Sequence, residues 1–299
     1  MSDLVLVGLT LLWGTTFTLV KVAMEITSPG IFLAARFGAA ALVLGLVALA
    51  RRDRLGPGFW RHGVALGLFM LAGFALQTVG LRTTTPARSG FITGLSVLVV
   101  PFVARFRLVR PVRAPSWAGA ALAVVGLALL ADPLGGATSA AVRLGDALTA
   151  GCAVAFALQI TYLSEWSPRH PPVPLTLLQI AVVLAGGLAM LPLAPARIDP
   201  ARLGELAGLV AFTGVAMTAG AFLAMTWAQR HTAAVRAALI YALEPVAAAA
   251  FSRVWIGERL PPAGLAGGAL VVLGVVAGEV GGALEARRAA AAGGAAPPG

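Results

Sequence analysis

The sequence predicts an all-α integral membrane protein of ten transmembrane helices, arranged as two inverted repeats of five. Three observations carry that prediction. Of the 299 residues, 59% are apolar and only 11% charged, against roughly 45–50% and 25% in soluble domains. The charges cluster, and the apolar stretches between them are long enough to cross a ~30 Å hydrocarbon core, which takes about 20 helical residues. The second half of the chain also falls onto the first at a fixed offset.

Only a helix or a closed barrel satisfies its backbone polar groups in lipid. Barrel strands alternate apolar and polar at every second residue, whereas Ala41–Leu49 and Ala118–Ala131 are apolar on every side. The spans are therefore helices. In order they are expected at Leu4–Met24, Ile31–Ala50, His62–Leu81, Arg88–Phe106, Pro115–Ala131, Leu144–Glu165, Pro174–Leu193, Leu203–Trp227, Ala233–Ser252 and Pro262–Val280. Turn chemistry separates them: Ser28-Pro29-Gly30, Gly56-Pro57-Gly58, Asp132-Pro133 and Pro195 with Asp199-Pro200. The first span begins almost at Met1 with no basic segment before it and no cleavage site after it, so it reads as a retained helix. Residues 1–135 and 140–284 form the two repeats, and 285–299 read as a disordered cytoplasmic tail without apolar periodicity.

The net charge of +10 sits in short connectors between apolar spans, the signature of cytoplasmic loops and anionic headgroups; nucleic acid is not an expected partner. With the N-terminus inside, the inner connectors of the first half hold Arg51, Arg52, Arg54, Arg61, Arg105, Arg107, Arg110 and Arg113, while the outer ones hold only Arg82, Arg88 and Arg143. The second half has almost no bias. Both termini are thus expected in the cytoplasm, in an inner (plasma) membrane of bacterial type. The single cysteine, Cys152, permits no internal disulfide.

At an offset of 148, Thr78, Arg82, Thr84, Arg88, Ile92, Leu95, Arg105, Gly119 and Gly126 align with Thr226, Arg230, Thr232, Arg236, Ile240, Leu243, Arg253, Gly267 and Gly274. An offset of 143 fits the earlier helices more weakly, pairing Trp13 with Phe156 and Arg36 with Gln179. So biased a composition gives chance Ala and Leu matches, but not several Arg and Thr pairs in one register. Five spans per copy is an odd number, so the copies must lie in opposite orientations. Inverted repeats are an architecture of secondary transporters, whose substrate site lies near the midplane between the halves.

The residues also carry a resemblance. Trp13-Gly14-Thr15-Thr16-Phe17, Lys21 and Arg36-Phe37 resemble the start of the EamA-type drug/metabolite transporter family. Gly80-Leu81-Arg82-Thr83-Thr84-Thr85 through Gly90-Phe91-Ile92-Thr93-Gly94-Leu95 to Val100-Pro101 is similar to its third and fourth helices. Arg236 to Leu243-Glu244-Pro245, followed by Gly257-Glu258-Arg259-Leu260, is similar to its ninth and tenth. One departure is that Arg107-Leu108-Val109-Arg110 replaces a glycine-glutamate-arginine turn in the first half. The resemblance implies an exporter of amino acids or related metabolites, aromatic amino acids among them.

Candidate site residues follow from the cost of polar groups in lipid. Glu244 is the one acid well inside a span, and a charge at a helix centre costs ~2.5–3.5 kcal/mol on insertion scales. It reads either as a substrate-amine or proton site, or as a packing group beside Pro245. Arg36, Arg88 and Arg236 are candidates for gating or charge pairing, with snorkelling to headgroups as the alternative. Trp13, Thr16, Gln77, Thr78, Thr93, Ser96, Gln159, Tyr162 and Tyr241 are candidate cavity residues, because hydroxyls and amides recognise amino and carboxylate groups without a buried charge. The rival role for each is helix–helix hydrogen bonding. Pro101 and Pro245 are expected helix breaks.

An intramembrane enzyme is the rival class. His-Glu-x-x-His and Gly-x-Ser-x-Gly are both absent, and His62, His170 and His231 lie at loop edges without ligand spacing. No Walker loop points to ATP, and no cofactor is expected. Organophosphates or nucleotide sugars are the alternative substrates, and they would call for several basic groups at the midplane. The expected partners are a small solute, an amino acid or related metabolite, and the bilayer; a monomer suffices.

Overall fold

The computed structural model describes residues 1–51, 53–109, 112–131, 139–193, 197–256 and 262–293. They are almost wholly helical. Helices α1 (Ser2–Trp13) and α2 (Thr16–Ile26) make the first span, α3 (Pro29–Arg51) the second and α4 (Phe59–Gly80) the third. The fourth is α5 (Pro86–Gly94) with α6 (Ser96–Phe106), the fifth α7 (Ala114–Ala131), the sixth α8 (Ala140–Trp166) and the seventh α9 (Pro172–Ala189). Helix α10 (Leu203–Gly214), a π-helical segment Val215–Gly220 and α11 (Ala221–Gln229) make the eighth. Helices α12 (Ala234–Tyr241) and α13 (Glu244–Ile256) make the ninth, and α14 (Pro262–Gly293) the tenth. Among the described residues nine stretches are long and apolar enough to cross a membrane, and Ala114–Leu129 is an equally apolar but shorter one.

The apolar side chains divide between two environments. Leu33, Phe37, Phe74, Leu163, Leu175 and Ile180 fill a core between the helices. Leu42, Leu46 and Leu49 on α3, Phe102 and Phe106 on α6, and Leu273 and Val276 on α14 point outward. An outward belt of this kind is stable only against hydrocarbon. The protein is a multi-pass membrane protein.

Two expectations are corrected. Pro101 does not break its span: α6 runs unbroken through it, and the break falls at Leu95, six residues earlier. A proline inside a helix removes one backbone donor and crowds the carbonyl four residues back, and here the rest of α6 holds the helical path. The other break, Ala242–Leu243, directly precedes Glu244 and Pro245. Pro245 sits in the first turn of α13, where the missing N–H costs nothing. The second correction concerns the tail. Helix α14 continues to Gly293, past the boundary drawn at 285, because alanine, glutamate and arginine are strong helix formers even without an apolar face. Residues 294–299, the Gly257-Glu258-Arg259-Leu260 motif and Asp132-Pro133 lie outside the described residues.

Helices α7 and α14 cross through glycine. A Cβ built on Gly119 would lie 2.5 Å from the Gly274 carbonyl oxygen, and one on Gly126 2.5 Å from that of Gly267. The repeat offset relates Gly119 to Gly267 and Gly126 to Gly274, so the contacts exchange partners as in a two-fold interface. Close backbone approach is what holds helices together in lipid. Gly126→Val should force the pair apart and cost about 1–3 kcal/mol, as overpacking does elsewhere, lowering the melting temperature in detergent. Gly8→Ala, with nothing within 4 Å of its new methyl, should leave it unchanged.

Candidate functional site

The breaks in the first, fourth and ninth spans face one cavity of about 710 Å³, mouth included. Broken helices free backbone groups and admit polar side chains at membrane depth, which lipid-facing helix cannot do. Trp13 precedes the first break, Thr93 and Ser96 flank the second, and Tyr241 and Glu244 flank the third; all five line the cavity. Gln77 from α4 and Gln159 from α8 complete the polar wall, with Thr16 from α2.

The lining residues pair at the two sequence offsets. At offset 143, Trp13, Thr16 and Phe17 correspond to Phe156, Gln159 and Ile160; at offset 148, Phe74, Gln77, Thr93 and Ser96 correspond to Phe222, Met225, Tyr241 and Glu244. Both members of each pair line the cavity. Only Arg36 and Gly94 lack a lining counterpart. The pairing does not extend to charge: Ser96 corresponds to Glu244, and Gln179, which corresponds to Arg36, does not line the cavity.

Arg36 is 2% exposed, so it is no snorkelling headgroup anchor. Its Nε donates to Thr218 Oγ1 at 2.8 Å, and its guanidinium lies over the rings of Phe74 (5.1 Å) and Phe37 (5.7 Å). No carboxylate of a described residue pairs with it. The Thr218 hydroxyl is aimed by the π-helical segment, and donates in turn to Thr213 O five residues back at 2.8 Å. The same wide turn exposes Met217 O to the Trp13 indole N–H at 3.1 Å. Single π turns inside α-helices often sit at functional sites.

Glu244 opens α13, and its carboxylate makes no hydrogen bond or ion pair with any described residue. The cavity thus holds a guanidinium and a carboxyl group that make no contact with each other. Aromatic faces enclose them: Trp13 packs on Phe222 at 5.1 Å and on Tyr241 at 5.7 Å, and Phe74 lies edge-on to Phe156 at 5.3 Å. Gln77 Nε2 donates to Thr93 Oγ1 at 3.3 Å, and Gln159 Nε2 to Gln179 Oε1 at 3.1 Å.

Two candidates fall outside the cavity. Thr78 is buried one residue on from Gln77, about 100° round the helix. Tyr162 stacks between Trp166 (4.7 Å) and Phe69 (5.8 Å), nearer the helix end. Arg88 and Arg236 do not line it either, and each meets an acid: Arg88 is ion-paired with Asp146, and Arg236 Nη2 lies 2.9 Å from Asp3 Oδ2. The aromatic members Phe17, Phe74, Phe156 and Phe222 carried no polar signal to single them out, although Phe156 is the repeat counterpart of Trp13.

A histidine pair escaped the sequence as well, because 108 residues separate its members. His62 Nδ1 and His170 Nε2 are 2.9 Å apart, and His62 stacks on Trp166 at 4.5 Å. His170 Nδ1 is buried and has no hydrogen-bond partner among the described residues. The tautomer that orphans no N–H has His170 Nε2–H donating to His62 Nδ1, an assignment from the hydrogen-bond network. Burial, then the Arg169 guanidinium, holds the His170 pKa below the ordinary imidazole value. The unfolded chain therefore takes a proton that the folded chain resists. The melting temperature should fall as pH drops below about 6.5, and His170→Gln should make that dependence shallower. An unchanged slope would clear the pair of any part in it. No group of three or more His, Cys, Asp or Glu able to hold a metal ion occurs among the described residues.

Comparison with known proteins gives a consistent picture. The model of the EamA-like transporter family matches residues 1–131 and 143–277. An uncharacterized transporter of Archaeoglobus fulgidus is 30% identical over 277 residues, covering 92% of this chain and 84% of its own length. The uncharacterized transporter YyaM of Bacillus subtilis is 32% identical over 109 residues, 35% of this chain and 36% of its own. A solved crystal structure superposes with a TM-score of 0.76 over 93% of this chain and 97% of its own, and at 20% identity it shares the fold alone.

Proposed function

The chain belongs to the EamA-like transporter family, and on that premise we propose that it is a secondary transporter exporting small zwitterionic metabolites, above all amino acids, by alternating access between two inverted repeats. One observation carries the substrate class: Arg36 and Glu244 line the same cavity, and neither has an ionic partner among the described residues. Unpaired charges in a low-dielectric site are costly. A ligand carboxylate on the Arg36 fork and a ligand ammonium at Glu244 would relieve both costs at once. The aromatic walls exclude water around them and accept an apolar side chain.

Three features support alternating access. The family model matches the chain in two stretches, the cavity lining pairs at the repeat offsets, and α7 meets α14 with exchanged partners. A site built from equivalent positions of two inverted halves sits where rocking of one half against the other opens it to either side. The rival class, organophosphates or nucleotide sugars, finds one arginine in the cavity and a carboxylate that would repel it.

The test is uptake by proteoliposomes of a panel of labelled amino acids, a sugar phosphate and a nucleotide sugar, with and without a proton gradient. Saturable exchange of amino acids that the phosphates do not inhibit is the expected result. Exchange of the phosphates alone would overturn the substrate assignment.

A further inference from the structure

Two clusters at the rims of the bundle, neither lining the cavity, are copies of one another. Thr84 Oγ1 donates to Asp146 Oδ1 at 2.6 Å, and Arg88 holds the same carboxylate through Nε and Nη2. Thr232 Oγ1 donates to Asp3 Oδ1 at 3.4 Å, and Arg236 Nη2 reaches Asp3 Oδ2 at 2.9 Å. Thr84 and Arg88 map onto Thr232 and Arg236 at offset 148, and Asp3 maps onto Asp146 at offset 143. Each cluster joins the two halves, since the Thr and Arg come from one and the Asp from the other. Asp3 opens the first span and Arg88 the fourth, so three crossings put the clusters at opposite ends of the bundle.

The two copies are not equally tight. The Arg88 and Asp146 side chains are 16% and 17% exposed, against 48% for Arg236 and 36% for Asp3. A further difference lies beside them. Lys21 Nζ donates to the carbonyl oxygens of Leu81 (2.6 Å) and Thr84 (3.1 Å), bolting the turn that carries the first cluster. Its repeat counterpart is Ser164, too short to do the same; among the described residues neither the buried Ser164 Oγ nor Arg230 Nε on the equivalent turn has a hydrogen-bond partner.

We propose that Thr84–Asp146–Arg88 and Thr232–Asp3–Arg236 are the two gates of the transport cycle, both latched in this structure and each parting in turn as its own end opens. The proposal rests on the alternating-access reading and adds to it the residues that latch each end. Inverted repeats make such a pair natural, because a rocking motion that shortens one rim contact lengthens its counterpart. The Lys21 bolt biases the resting molecule toward closure at the Arg88 end. With the termini in the cytoplasm, that leaves the cavity nearer to opening inward, where an exporter meets its cargo.

The experiment places a single cysteine probe on the cavity wall, Ser96→Cys in a Cys152→Ala background, in right-side-out and inverted vesicles. Labelling by a membrane-impermeant maleimide is measured from each face. Asp146→Asn should raise labelling from the Arg88 face relative to the other, and Asp3→Asn should move the ratio the opposite way. Each change is expected at about 2- to 5-fold, the population shift that one partly exposed ion pair supports. The double exchange Arg88→Asp with Asp146→Arg should bring the ratio back toward the parent. A merely structural ion pair would lower folded yield without moving the two ratios in opposite senses. If the parent probe is labelled from both faces and neither variant moves the ratio, or both move it the same way, the gates are refuted and alternating access stands. A parent probe labelled from one face only, with or without saturating amino acid, would overturn both.

Discussion

Arg36→Gln should lower transport roughly 10- to 100-fold, the loss expected when a hydrogen-bonded charge contact to the ligand is removed. The guanidinium is buried, and among the described residues it is bonded only to Thr218 and two ring faces, with no acceptor for its remaining N–H groups. A cation held this way weakens the fold, because desolvation is not offset by an ion pair. The glutamine variant should therefore melt at the same temperature or higher while it fails to transport. Arg36→Lys keeps the charge and loses the planar fork, so an intermediate rate is expected. Normal transport by Arg36→Gln, with a drop in melting temperature, would make the residue a packing group.

Glu244→Gln should cut transport by a similar factor at nearly unchanged folded yield, since the amide keeps the shape of the carboxylate. The motive is position: Glu244 opens α13 directly after the Ala242–Leu243 break, faces the cavity and is bonded to no described residue. If it served packing alone, the amide would transport almost normally, and Glu244→Ala would instead lower yield and melting temperature. Export measured at equal membrane levels separates the two roles. Near-parental rates in the glutamine variant would remove Glu244 from the site.

Both residues were legible in the sequence because charge is expensive in hydrocarbon, so its presence within a span is informative. The spans were legible for the same reason, and their boundaries fall within a few residues of the structure at most ends. The neutral polar residues were more ambiguous. Gln77 and Thr78 are adjacent and chemically alike, yet only Gln77 reaches the cavity, since one helical step turns the next side chain to another face. Aromatic lining was not legible, because a phenylalanine facing the cavity and one facing lipid look alike in an apolar segment. Phe74 and Phe102 are such a pair.

Contacts between distant segments were the other blind spot. Asp3 lies in the first turn of α1, where acids are common and complement the helix dipole, while Asp146 lies almost two turns into α8. Their meaning comes only from Arg236 and Arg88 across the bundle, although the two offsets that equate them were both in the sequence. The break at Leu95 was misplaced to Pro101 by the general rule about proline. The π-helical segment that aims Thr218 carried no signal beyond the glycines at its edges, Gly214 and Gly220.

The central claim is that one cavity reads a carboxylate with Arg36 and an ammonium with Glu244. Counterflow in proteoliposomes tests it most directly, using three competitors that share one side chain: an intact amino acid, its methyl ester and its N-acetyl derivative. The intact zwitterion should compete at least ~10-fold better than either derivative, each having lost one charge-assisted contact. Glu244→Gln should abolish the difference between the intact and N-acetylated compounds, and Arg36→Gln that between the acid and the ester. Equal competition by all three compounds in the parent protein would contradict it.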